Sequence, residues 1–272
     1  NGRSPFLVGR GHRSVRRPFE LPFDPIFDQA AEFRSVFPGD AVTAVVIGDD
    51  DGAGFRAASP HSRCLRAIFA HVPGLEVAPA SSAHEAAGLP IRAIREGDPV
   101  IFIAREATCE GEAEVPEVPR TIGFAEAEVA REGDVTIVAM ERAVTFADHV
   151  ADALAKEKIG VTGRDIRHAC PLDATTILER AAETGRIVMV DPSRPSGGTA
   201  SDTIASLARA RFADREAPIA ILTAPTPVPS RRRPEITPSP AELEAAVRAV
   251  PAFAGRSAPR RAISRTRRGG PG

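Results

Sequence analysis

The chain has 272 residues, 43% of them hydrophobic, and a formal net charge of −1. That is enough apolar material for a sizeable core and two domains. The near-neutral charge removes any global electrostatic reason to expect nucleic acid as a partner, and no apolar run approaches the roughly 18 residues needed to span a bilayer. Cysteines stand only at Cys64, Cys109 and Cys170, an odd number without metal-ligand spacing, so they read as reduced thiols in a cytoplasmic-type compartment.

In chain order, residues 1–17 are arginine-rich, acid-free and without apolar periodicity, which predicts a disordered basic arm. A targeting remnant for an organellar matrix is the other reading of that arm. Ala41–Ile47 is β-branched and apolar, as a buried parallel strand should be. Asp49-Asp50-Asp51 reads as a solvated acidic turn, because the alternating ligands and terminal glutamate of a calcium loop are absent. A helix is expected over residues 82–95, with Pro90 inside it as a kink. Val100–Ala104 is a second buried strand. Acids and prolines then cluster while periodicity lapses, which sets a linker at 107–120 between a first domain (18–106) and a second (121–250).

The second half alternates strand and helix signals in the same way. Val135–Met140, Ile187–Val190 and Ile219–Leu222 read as buried strands. Gly163 weakens the strand pattern around it. Arg142–Lys158 places Val144, Ala147, Val150, Ala151 and Leu154 on one helical face. Asp173 and Gly185 bracket a further helix. Thr199–Phe212 is helical, and Ser239-Pro240-Ala241-Glu242 is a capping box that opens the final helix. Residues 251–272, again basic and acid-free, are expected to be a disordered tail. His84, His149 and His168 have no partner in sequence and read as structural or surface groups. The fold class predicted is α/β, two domains with mostly parallel sheets flanked by helices.

Several segments stand in an order that carries a resemblance. They are His61-Ser62 at a helix start, His71-Val72-Pro73-Gly74-Leu75, Gly97-Asp98-Pro99, Gly123-Phe124-Ala125-Glu126, Arg131-Glu132-Gly133-Asp134 and Pro171-Leu172-Asp173. Over about residues 17–250 the chain resembles the β subunit of the thiamine-diphosphate-dependent decarboxylating component of 2-oxo acid dehydrogenase complexes, the pyruvate, branched-chain and acetoin enzymes. The resemblance implies a transketolase-like pyrimidine-binding domain followed by a C-terminal domain. It implies as partners an α subunit, a second β chain and a lipoyl transacylase core, with no nucleic acid and no membrane. The cofactor implied is thiamine diphosphate with Mg²⁺, held mainly by the α subunit.

By the same resemblance His61 is the catalytic candidate, facing the cofactor and helping in proton transfer or acylation of the lipoyl group. A place at a helix N-terminus favours its neutral form, and Pro60 stands where the family has glutamine. Phe23 matches an aromatic position beside the pyrimidine. Ala93, Glu96 and Asp98 match a loop that holds a structural potassium ion in several relatives. Phe19, Phe23, Phe27 and Phe33 are expected to bury an apolar face on a partner chain. The family's pyrimidine-protonating glutamate lies upstream of Arg17-Pro18, and no acid stands in the sixteen residues there. Pro90, Gly163 and Pro192 depart from the family pattern. Three functions follow as expectations: a β subunit impaired as given and inactive alone, a non-catalytic paralogue serving binding or assembly, or a fragment of another transketolase-group enzyme.

Overall fold

In the computed structural model the described residues are 7–9, 23–37, 45–51, 64–95, 97–105, 121–123, 128–129, 133–211, 216–224 and 238–254. They build two α/β units, one on each of two sheets. The first sheet has the order β1-β2-β4-β3, all parallel, from β1 (Leu7–Gly9), β2 (Val45–Asp51), β3 (Glu76–Ala80) and β4 (Val100–Arg105). A wide helical turn, Pro25–Ala30, and the short helices α1 (Phe33–Val36) and α2 (Arg66–Ala70) belong to this unit, as does α3 (Ala83–Arg95).

Alternation along β3 explains how this sheet is covered on both faces. Val77 points to a cluster with Ile26, Phe69, Leu75, Ile101 and Ile103. Its neighbour Ala78 points the other way, to Leu89, Ala93 and Val100. The turn into β3 depends on Gly74, whose φ is +89°. A Cβ there would lie 2.2 Å from the Ala31 carbonyl oxygen, so only glycine lets the two turns pack.

The second sheet has the order β5-β7-β6-β8-β9, from β5 (Glu128–Val129), β6 (Val135–Ala139), β7 (Val161–Asp165), β8 (Ile187–Asp191) and β9 (Ala220–Thr223). Only the two-residue β5 runs antiparallel. Every residue of β6 and β8 is buried, as expected of central strands with helices on both faces. Val135, Ile137 and Ala139 face α4 (Arg142–Ala155) and α7 (Pro240–Ala254). Val138 and Met140 face α5 (Ala174–Thr184) and α6 (Thr199–Arg211).

Local signals set several helix ends. The Asp173 carboxylate accepts from the Thr176 amide at 3.0 Å, and Gly185 closes α5 at φ 64°. At α7 the Ser239 amide donates to Glu242 Oε2 at 2.8 Å while the Glu242 amide donates to Ser239 Oγ at 3.2 Å, a reciprocal box.

Three expectations need correction. Leu7–Gly9, placed in a disordered arm over 1–17, pair in parallel with Val45–Ile47. Asp49, Asp50 and Asp51 lie in β2, opposite Ile103, Ala104 and Arg105, and not in a turn. The helix expected over 82–95 is present as α3, from Ala83 to Arg95 with Pro90 inside it and Leu89 and Ala93 in the core; burial of that face outweighs the missing amide. The last helix extends to Ala254, past the expected start of the tail at 251. The expected linker, 107–120, lies outside the described residues.

Candidate functional site

Chemistry-bearing side chains gather where the two units meet. Arg66, the first residue of α2, is completely buried at the carboxyl ends of β6 and β8. Its Nη1 donates to Glu141 Oε1, and its Nη2 donates to Asp191 Oδ1 at 2.5 Å. Its Nε points at Thr199 Oγ1, 3.4 Å away. Glu141 is the residue before α4 and Asp191 ends β8.

The loop after β8 is shaped around the Asp191 carboxylate. Oδ1 also accepts the Ser193 amide at 2.8 Å, and Oδ2 accepts the Ala200 amide at 2.9 Å. Gly198 makes that wrap feasible, since a Cβ there would sit 2.5 Å from the Arg194 carbonyl and 2.6 Å from Ser193 Oγ. Burial pushes the Asp191 carboxyl up, but the Arg66 guanidinium and the two amides outweigh it and hold the group below the usual carboxylate range. Glu141 has φ 55° and ψ −133°, a conformation costing a residue with a Cβ on the order of 1–3 kcal/mol.

A second polar junction lies beside it. Glu85, in the first turn of α3, accepts the Ser81 amide at 2.8 Å and the Arg167 Nε at 2.6 Å. Ser81 Oγ donates to Asp165 Oδ1 at 3.0 Å. Burial and the nearby Glu85 charge raise the Asp165 carboxyl well above its ordinary value, with the Ser81 bond opposing them. A raised carboxyl stabilises the fold below the unfolded value near 3.8, and that contribution is lost as pH rises through the folded one. Asp165→Asn keeps the acceptor without the charge. It should therefore gain stability over the wild type as pH rises above about 4. A urea-midpoint difference that stays constant from acid to neutral pH would contradict this.

The third contact is backbone to backbone. The Val77 amide donates to the Cys170 carbonyl at 2.9 Å, and the Ala169 amide donates to Val77 at 2.8 Å. The segment after β7 thus lies along the outer edge of β3, with Ala169 in the first unit's core. His168 beside it is buried, and its Nδ1 lies 3.2 Å from the Pro171 carbonyl.

Three of the five residues singled out from sequence, Phe23, Ala93 and Asp98, are among the described residues. His61 and Glu96 lie outside the described residues. Phe23 is half-buried, with ring centroids 5.0 Å from Phe27 and 6.1 Å from Phe69, inside an aromatic cluster. Phe33 instead packs on the exposed Phe37, ring centroids 4.8 Å apart and planes tilted by 44°. The Ala93 side chain is in the core. Asp98 lines a cavity of about 280 Å³ with Ser35, Gly74, Glu76 and Pro99. Sequence reasoning missed Arg66, Glu85, Glu141, Asp165 and Asp191. One signal was available: the arginine in Leu65-Arg66-Ala67-Ile68-Phe69 stands three residues before Phe69, on the face of α2 that is buried.

The described residues do not by themselves fit the anionic half of thiamine diphosphate. Among them no three acidic, histidine or cysteine side chains converge as a metal site. The cavity beside β3 presents the carboxyl groups of Glu76 and Asp98, the wrong sign for a diphosphate.

Comparison with known proteins bears on both units. The family profile described as transketolase, C-terminal domain, matches residues 125–242. The β subunit of acetoin:2,6-dichlorophenolindophenol oxidoreductase from Cupriavidus necator is 44% identical over 230 residues, 83% of this chain and 68% of that protein. The same subunit from Bacillus subtilis is 37% identical, over 76% of this chain and 61% of its own length. The pyruvate dehydrogenase E1 component subunit beta of Rickettsia felis is 34% identical, over 74% and 62% respectively. The chain thus spans 61% to 68% of the length of these relatives. A solved structure described as a split gene transketolase, inactive beta4 tetramer, superposes with a TM-score of 0.64 at 21% identity, covering 77% of this chain and 67% of that one. At that identity the likeness concerns the fold.

Proposed function

We propose, since this chain belongs to the β subunits of the decarboxylating component of 2-oxo acid dehydrogenase complexes, that it serves as the β half of an α/β enzyme. That enzyme would cleave a 2-oxo acid or an acyloin such as acetoin and pass the acyl group to a lipoyl carrier. The observation that carries this is the 44% identity to an acetoin oxidoreductase β subunit over 83% of the chain. Thiamine diphosphate supplies the carbanion chemistry in such an enzyme, and the protein supplies orientation and polarity. An α subunit would hold the diphosphate and Mg²⁺.

On this proposal His61 would face the cofactor, and Phe23, on the rim of the aromatic cluster, would flank its pyrimidine ring. Asp98, with Ala93 and Glu96, would serve a potassium ion. The test is co-expression with the α subunit of an acetoin oxidoreductase. Size-exclusion chromatography and dye reduction are then followed with thiamine diphosphate, Mg²⁺, and acetoin or pyruvate. The expected result is a stable hetero-oligomer whose assembly His61→Ala leaves intact. Failure to associate with either an acetoin- or a pyruvate-type α subunit would overturn the proposal.

A further inference from the structure

The second sheet reverses its order of travel between β6 and β8. From β6 the chain steps to β7 on one side, and from β8 it steps to β9 on the other. In an open parallel sheet the loops leaving the carboxyl ends of two such strands part, and the gap between them is where ligands bind. Glu141, just beyond β6, and Asp191, at the end of β8, stand on the two lips of that gap, and both are fully buried. Two buried carboxylates facing one gap require a cation between them.

We propose that this gap is a guanidinium-binding site, filled in the intact chain by Arg66 as an internal ligand whose seating sets the two units against each other. The contacts match a planar fork. One terminal nitrogen goes to each carboxylate, and Nε points to the Thr199 hydroxyl. A lysine ammonium, a single point charge, does not reproduce that three-way pattern. The remaining Asp191 oxygen is taken by the Ala200 amide, so the lip has a fixed shape that does not depend on Arg66. The left-handed backbone at Glu141 (φ 55°) holds the other lip in place; unusual backbone of this kind clusters at ligand clamps. The site is independent of any catalytic role for the chain.

The test uses the full chain with Arg66→Ala, unfolded in urea and followed by circular dichroism at constant ionic strength. Low-millimolar methylguanidinium is compared with ammonium, tetramethylammonium and sodium. The expected result is a lowered urea midpoint that methylguanidinium alone restores, saturably and in large part, with no gain for the wild type. The triple variant Arg66→Ala, Glu141→Gln, Asp191→Asn should lose that response. If Arg66→Ala does not fold unaided, the same salts are added during refolding from urea, and the yield of soluble helical protein is measured.

Hydrogen exchange tests the seating. In Arg66→Ala the Val77 and Ala169 amides, which join the two units, should lose protection. Untethered methylguanidinium should not restore it. Equal recovery with sodium, recovery that persists in the triple variant, or no recovery by any guanidinium would overturn the binding site. Unchanged protection at Val77 and Ala169 would overturn the role in setting the two units.

Discussion

Asp191→Ala should be among the most damaging single substitutions in this chain, costing roughly 3–5 kcal/mol, the range for breaking a buried ion pair from one side. Three donors lose their acceptor together: Arg66 Nη2, the Ser193 amide and the Ala200 amide. Arg66 is left in a wholly buried position with Glu141 as its remaining carboxylate. Asp191→Asn keeps one acceptor oxygen and should fall between. Removing Arg248, which on the exposed face of α7 bridges Glu244 and Glu157, the latter just past the end of α4, should have little measurable effect, because that network lies in water. Urea unfolding of the variants side by side makes the comparison. An Asp191→Ala midpoint within error of Arg248→Ala would refute the ranking.

Mild acid should weaken the fold through His168. Burial lowers its imidazole from the usual 6.5 to about 4, with the bond to the Pro171 carbonyl opposing the shift. The unfolded chain binds a proton there below 6.5 and the folded chain does not. The stabilising contribution is therefore whole above pH 6.5 and is lost as pH falls toward 4, up to about 3 kcal/mol. Asp165 opposes this, since its raised carboxyl favours the folded state as pH falls. The observable is accordingly the difference between the wild type and His168→Gln, which should change steadily in the variant's favour from pH 6.5 to pH 4. A difference flat across that interval would show that His168 is protonated equally in both states.

What could be read from sequence follows the range over which each signal acts. The valine- and isoleucine-rich runs at β6 and β8 are continuous because both faces are covered, and composition shows that directly. The Asp173 cap, the Gly185 stop and the Ser239–Glu242 box are each complete within a few residues. Asp49–Asp51 read as a solvated turn; what makes them a strand, against the poor strand propensity of aspartate, is the ladder to Ile103–Arg105, more than fifty residues further along. The Arg66 network was invisible for the same reason. Its ion pairs join residues 75 and 125 positions apart, and in each local window the partners are ordinary charges. Glu85 and Asp165 met the same fate, being brought together only by the contact of the two units.

The strip of backbone at Ala169 and Cys170 that lies along β3 also has a consequence for how the protein is made. Chain leaves the ribosome from the amino end, so β1 to β4 are complete well before residue 169 exists. Until then the outer side of β3 offers unpaired amides and carbonyls, a template for any extended segment nearby. Ribosomes translating one message in close file would display that open side many times over. Slowing elongation between residues 105 and 170 should lengthen the vulnerable interval and enrich the aggregates in amino-terminal fragments, whereas a chaperone that holds strands apart should be needed only for that interval.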